Sequence, residues 1–181
     1  ALLKYSRLEQ QDLPRQRFNV LEMITTLLTD RFNGLQGPKP KIQVALPFAD
    51  LYGEPVSIRQ AIANLLDNAA KFSRHATPPT ITIGGTPMKR ERVLWVQDNG
   101  IGFDPSHYDK IFGLFERLHS PQEYEGTGVG LAIVKLVMDK HDGRVWVESA
   151  PGAGSKFYLA FPERAESVVD RPSSSPHPAS A

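Results

Sequence analysis

Asn64, Asn68 and Lys71 are spaced so that a helix carries them along one face. At about 100° per residue, Asn68 lies about +40° and Lys71 about −20° from Asn64. Ile58, Ile62, Leu65, Leu66, Ala69 and Phe72 gather instead at about 130°, so that side goes to a core. Amide oxygens suit Mg²⁺, which keeps hard oxygen ligands and several waters beside phosphates, and a lysine meets phosphates as a point charge. Further on, the apolar run Val93 to Val96 ends at Asp98-Asn99-Gly100-Ile101-Gly102. A carboxylate there can accept a hydrogen bond from an amino group such as that of adenine, and the glycines permit sharp dihedrals and close approach of a ligand. A third segment, Gly126-Thr127-Gly128-Val129-Gly130, opens a helix whose free N–H groups attract anions. It is neither the G-x-G-x-x-G dinucleotide fingerprint nor a P-loop, which needs Gly-Lys-Ser/Thr. Each segment alone has a plain reading, as a solvated helix face, an Asx-Gly turn or a helix start. Their order and separations together describe an ATP pocket.

The elements that must position these groups follow from periodicity and punctuation. Ala1 to about Asp12 reads as the end of a helix, stopped by Leu13-Pro14. A second helix runs from Asn19, its N-cap, to Phe32, with Gly34 near its end. Gly37 to Pro40 is a turn, and Lys41 to Leu46 alternates as a half-buried strand through Ile42, Val44 and Leu46. Glu54 to Ser73 is a long helix. Thr80 to Gly84 and Arg92 to Gln97 form a hairpin around Pro87 and the charged run Lys89 to Arg92. Phe103 to Glu125 has only short apolar pieces, which suggests a functional lid. Leu131 to His141 is helical, with Asp142-Gly143 as its stop, and strands follow at Arg144 to Glu148 and Lys156 to Phe161 around the turn Pro151 to Gly154. The Ser-, Pro- and Ala-rich tail after Pro162 has the composition of a disordered segment. The architecture expected is an α/β two-layer sandwich, a mixed sheet of about five strands against three main helices.

The 181 residues suit one domain, and their 40% hydrophobic and 23% charged content is that of a globular chain. A formal net charge of +1 and the lack of a basic stripe argue against a nucleic-acid partner. No apolar run is long enough to cross a bilayer, and no segment reads as a secretory leader. The chain has no cysteine, which rules out disulfides and thiolate metal sites and fits a reducing compartment.

These residues closely resemble the ATP-binding catalytic domain of sensor histidine kinases, within the wider gyrase, Hsp90, histidine kinase and MutL superfamily. The carrying boxes, in family order, are Ile62 to Ser73, Asp98 to Phe103, Ile111 to Leu118, Gly126 to Ala132 and Pro151 to Phe157. The match covers about residues 19 to 162. The resemblance implies a Bergerat-type fold with a mobile ATP lid, and it divides the chain into 1–18 (end of a dimerisation helix and linker), 19–162 (ATP-binding catalytic domain) and 163–181 (tail). It implies ATP and Mg²⁺ as cofactors. Asn68 would be the metal ligand, Asn64 would assist at the phosphates, and Lys71 and Arg117 would contact them. Asp98 would hold the adenine amino group, with Gly100 and Gly102 shaping that wall. Phe112 and Phe115 would anchor the lid, although a core role at i,i+3 suits both equally. Gly126, Thr127, Gly128, Gly130 and Leu131 would wrap the nucleotide. Glu116 to His119 with Glu123 to Gly128, and Gly143 to Ser149, look most like the phytochrome-type branch. Lys156 departs from the Thr of many relatives and is expected to alter adenine-side contacts. The resemblance also implies a cytoplasmic protein without membrane contact from this segment. Its partners would be its own upstream dimerisation domain, as a homodimer, and a response regulator.

Within that superfamily the ATP-hydrolysing members carry a water-activating glutamate one helical turn before the Mg²⁺ asparagine, where this chain has Asn64. An amide is no general base, so transfer to another acceptor is the better reading. The competing reading is a nucleotide-binding regulatory module without turnover. None of His75, His107, His119, His141 and His177 sits in a His-Glu-x-x-x-Pro context. His75 and His141 read as helix-end residues favouring the dipole, His107 and His119 as lid surface and His177 as tail. The acceptor histidine is therefore expected outside this chain. Incubating the chain with radiolabelled ATP should leave no acid-labile phosphate on it; recovery of such phosphate would overturn this expectation.

Overall fold

The computed structural model describes residues 2–34, 39–118, 124 and 126–164. Helix α1 (Leu2–Gln10) leads to strand β1 (Gln16–Asn19), helix α2 (Val20–Phe32) and strands β2 (Lys41–Ala45) and β3 (Asp50–Gly53). Helix α3 (Pro55–Ser73) precedes the hairpin β4 (Thr80–Pro87) and β5 (Glu91–Asp98). Helix α4 (Gly130–Lys140) and strands β6 (Arg144–Ser149) and β7 (Ser155–Pro162) follow. The main sheet has the order β2-β4-β5-β7-β6, parallel only between β2 and β4. The α/β sandwich of a mixed five-stranded sheet with α2, α3 and α4 on one face is thus the observed architecture.

Local chemistry accounts for the helix starts. Asn19 accepts from the Glu22 N–H and caps α2 as its position predicts. Glu54 caps α3 by accepting from the N–H groups of Val56 and Ser57, and Pro55 fills the first helical position, where no N–H is needed. Helix α3 buries Ile58, Ile62, Leu65, Leu66 and Ala69 against the sheet residues Ile81, Ile83, Leu94 and Val96. Two ion pairs, Arg31 with Asp67 at 2.8 Å and Arg59 with Asp30 at 3.1 Å, join α2 to α3 along their outer edges.

Several expectations change. Residues 16–18, read as linker, pair as β1 with β3 from Gln16↔Gly53 to Asn19↔Asp50, a short ribbon of mostly polar residues with no alternating signal. β2 is an edge strand; Val44 is exposed rather than half-buried, because no strand among the described residues pairs with that edge. The hairpin strands are longer than expected, leaving only Met88, Lys89 and Arg90 as the connection. Phe72 leaves the core and joins a cavity wall. Glu163, beyond the expected end of the domain, donates its N–H to the Arg90 carbonyl and pairs with Arg92 at 3.0 Å. The rest of the expected tail, residues 165–181, lies outside the described residues.

Lys156 also differs. Strand alternation turns Ser155 and Phe157 inward, and Lys156 to the helix-free face of the sheet. There its ammonium lies 4.1 Å from the Trp95 ring centre and 5.0 Å from that of Tyr158. Trp146 stacks on Tyr158 at 4.9 Å, and the Trp95 ring covers Gly84, where a Cβ would approach it to 2.1 Å. Lys156 therefore makes no contact on the side expected for adenine.

His141 stands at the end of α4, as expected, but is buried there and is not a charged partner of the dipole. It is 1% exposed, its Nδ1 bonds the Val137 carbonyl at 2.7 Å, and its Nε2 accepts from the Glu54 N–H at 2.9 Å. The two contacts require the neutral ring with its proton on Nδ1. Burial, aided by nearby Arg15 and opposed by the Val137 bond, Glu54 and Asp142, holds His141 below the ordinary histidine value. Its folded value is depressed, so it contributes full stability above the unfolded value of about 6.5 and loses that contribution as pH falls through the folded value. Asp98, raised to about 6, acts in the opposite sense, its contribution being lost as pH rises. His141→Leu should cost about 1–3 kcal/mol near neutral pH by orphaning the Glu54 N–H. The gap between parent and variant should narrow as pH falls through the histidine range, since Asp98 is common to both. Urea unfolding of the two proteins across that range checks this; a constant gap would exclude the linkage.

Candidate nucleotide site

One cavity of about 390 Å³ lies between α3, the segment after β5 and the start of α4. Ten of the residues proposed from sequence line it: Asn64, Asn68 and Lys71 on α3, Gly102 after β5, Arg117, and Gly126, Thr127, Gly128, Gly130 and Leu131 into α4. The rotation of α3 explains the first three, because burial of Ile58, Ile62, Leu65 and Leu66 turns the amide face away from the sheet.

Helix α4 begins differently from α2 and α3. Its cap position is Val129, and among the described residues no side chain caps its first N–H groups. Gly130 and Leu131, the first two helical residues, are on the cavity wall. An uncapped helix start beside Lys71 and Arg117 is a place for an anion. Burial, and then repulsion from Arg117 and Arg74, pull Lys71 below the ordinary lysine value, with Asp67 opposing. These crowded cations gain from a negative ligand between them. Arg117 donates to the Tyr124 carbonyl at 2.7 Å, and the Tyr124 ring lies 5.2 Å from Phe72 with Arg74 over it at 4.6 Å.

Asp98 is absent from the wall and buried just beneath it, 5% exposed. Its Oδ1 accepts from the Gly100 N–H at 2.8 Å, and its carboxylate also takes the N–H of Ser155, which is on the wall. Burial outweighs both bonds and raises Asp98 to about 6. A buried, acceptor-rich carboxyl beside an open cavity fits an amino-bearing ring.

The glycines after Asp98 serve the chain itself. A Cβ on Gly100 would come within 2.4 Å of the Phe72 carbonyl, and one on Gly102 (φ +61°) within 2.0 Å of the Ala150 carbonyl. They allow the backbone after β5 to lie against the end of α3 and the β6–β7 turn, and only Gly102 also borders the cavity. Ser149 completes that junction, taking the Phe103 N–H and bonding Gly154 and Ser155.

The two phenylalanines separate. Phe112 is half-buried and meets Phe157 edge-on at 6.3 Å, whereas Phe115 is 61% exposed with φ +64° and its N–H donates to the Gly128 carbonyl. Neither lines the cavity. His119 and most of the segment 119–125 lie outside the described residues. Sequence reasoning missed Phe72, Phe103, Tyr124, Ser155 and Phe157 on the wall. The register of β7 turns the last two inward, opposite Asp98 and Val96.

The donor set fits Mg²⁺ with a polyphosphate. Among the described residues no group of three His, Cys, Asp or Glu could hold an ion alone. An ion at Asn68 would therefore draw its remaining oxygens from phosphate and water, as Mg²⁺ commonly does.

Comparison with known proteins agrees with this geometry. The family model described as histidine kinase-, DNA gyrase B-, and HSP90-like ATPase matches residues 53–165. The phytochrome-like protein Cph1 of Synechocystis sp. is 35% identical over 161 residues, 89% of this chain and 21% of that protein. The methanogenesis regulatory histidine kinase FilI of Methanothrix harundinacea is 33% identical over 160 residues, 88% of this chain and 18% of that one. The chain thus spans about a fifth of the length of these relatives. The solved mycobacterial sensor histidine kinase MprB superposes with a TM-score of 0.69 at 25% identity, over 82% of this chain and 97% of that one. Full-length ShkA in complex with AMPPNP shares the fold, with a TM-score of 0.73 at 21% identity over 88% of this chain and 34% of that one. By sequence, fold and site together, the chain belongs to the histidine kinase-, DNA gyrase B- and HSP90-like ATPase family.

Proposed function

We propose that this chain is the ATP-binding catalytic unit of a two-component sensor histidine kinase, passing the γ-phosphoryl group to a histidine on a separate dimerisation domain. The observation that carries the reading is the uncapped start of α4 facing the same cavity as Lys71 and Arg117, with the buried carboxyl of Asp98 behind the wall. One part binds phosphates, the other a ring amino group. Asn68 would hold Mg²⁺, which supplies charge neutralisation on the phosphates. Lys71 and Arg117 position the phosphates and compensate their charge, and the free N–H groups of α4 add fixed dipoles. Phe72, Phe103 and Phe157 give the cavity apolar walls that exclude water from the ring.

Transfer rather than hydrolysis is supported by Asn64. Both ends of its amide are engaged, and neither can abstract a proton from water. The likeness to the histidine kinase FilI and to phytochrome-like Cph1 supports a signalling protein that dimerises through a separate domain and passes phosphate to a response regulator, and we place it in the cytoplasm. The Cph1 likeness favours light as the input. No described helix is long and apolar enough to cross a membrane.

The test is calorimetry with a non-hydrolysable ATP analogue and Mg²⁺. Asp98→Asn should weaken binding at least about tenfold, since it removes a buried charged acceptor. The raised value of Asp98 means that it is protonated below about 6, so affinity of the parent should fall as pH drops through that value. The Asn variant should lose that pH dependence. Equal affinity in parent and variant would sink the proposed pocket.

A further inference from the structure

Gln60 stands one helical turn before Asn64 on α3, and its Nε2 donates to Asn64 Oδ1 at 2.9 Å. Asn64 Nδ2 in turn donates to the Gly130 carbonyl at 3.0 Å. The direction of this relay is forced. A backbone carbonyl only accepts, so Asn64 must turn its nitrogen to Gly130 and its oxygen to Gln60, which must then present its amino group. Asn64 lines the nucleotide cavity, whereas Gln60 lines a second one of about 350 Å³ between α1, the following connector and the start of α3. Gly130 is the first residue of α4, where the glycine loop ends.

We propose that Gln60 is a positioning residue for the nucleotide site. It holds the Asn64 amide in the orientation that ties α3 to the start of α4, and so sets the spacing between the amide face and the glycine loop. Without a donor at position 60 the Asn64 oxygen is left unpaired at the junction, and the amide is free to rotate away from Gly130. The inference rests on the nucleotide reading for its effect on binding, but the relay itself is visible without nucleotide.

The substitution Gln60→Glu separates this role from packing. Ionised glutamate has nearly the same shape but only accepts, so it faces Asn64 Oδ1 acceptor to acceptor and breaks the relay. Once protonated it can donate again, and the variant carries its own rescue. Lys4 and Arg7 on α1, Asp12 in the connector and Glu54 at the cap of α3 share the cleft, so a full pH profile is read rather than a single value. At about pH 8 the variant should bind the Mg²⁺-loaded ATP analogue about tenfold more weakly than the parent. The ratio of variant to parent should recover toward unity as the introduced carboxyl protonates, at about pH 4.3 for an unshifted glutamate. Taking the ratio cancels the titration of Asp98 and His141. Gln60→Met, similar in volume and unable to donate, should show a loss that pH does not rescue. In nitrogen–proton spectra of the nucleotide-free protein, the Asn64 side-chain amide signals should move in Gln60→Glu at high pH and return at low pH. Equal affinities across the profile with an unmoved Asn64 amide would overturn the role of Gln60 and leave the nucleotide site standing. A parent that binds no nucleotide at all would overturn both.

Discussion

The rotation of α3 about its own axis is the constraint on which the rest of the structure depends. Ile58, Ile62, Leu65 and Leu66 are completely or almost completely buried, and a helix cannot turn without withdrawing all four from the sheet. Each such side chain contributes roughly 1.5–3 kcal/mol by leaving water. That burial fixes the directions of Gln60, Asn64, Asn68 and Lys71 on the other side. The ion pairs to α2 and the capped start at Glu54 hold the helix against sliding along its axis. The helix is therefore both a wall of the core and a wall of the cavity, and neither role can change alone.

The opposite wall is made from backbone rather than side chains. The segment after β5 is pinned where Gly100 and Gly102 lie against neighbouring carbonyls, and where Gly152 donates its N–H to the Ile101 carbonyl. Ser149 and Tyr108 bond across the same junction, Tyr108 donating to the Ser149 carbonyl at 2.6 Å. Asp98 is buried by this packing and keeps its place through two N–H donors. The raised pKa of Asp98 is thus a by-product of how tightly the glycine turns close over it.

Much of this was legible in the sequence because the relevant signals are local. The 3.6-residue period of α3, the Asn19 cap and, to within a residue, the strand ends at Asp98 and Pro162 need only near neighbours to be read. The shared cavity was legible because three segments with complementary chemistry stood in one chain. The ribbon of β1 and β3 was not legible, since Gln16 to Asn19 pairs with partners more than thirty positions away and buries little. Phe72 was misplaced for a related reason. Its helical angle, about 80° from Asn64, is at the edge of the apolar arc and only about 40° from Asn68, and the ring meets Tyr124 on the cavity wall. His141 was legible as a helix end and illegible as a buried link, because its partner Glu54 lies 87 residues away. Lys156 follows strand parity once the register of β7 is known, and parity cannot be assigned from one strand alone.

The helix-free face of the sheet has an optical consequence. Trp95 and Trp146 are the only tryptophans of the chain, and both lie there, one under the Lys156 ammonium and one against Tyr158. The aromatic groups on the cavity wall are instead Phe72, Phe103, Phe157 and Tyr124. The full thickness of the sheet separates the indoles from any ligand in the cavity. Indole emission from this protein is accordingly a gauge of whether the sheet is intact, and an occupied cavity leaves it largely unaltered.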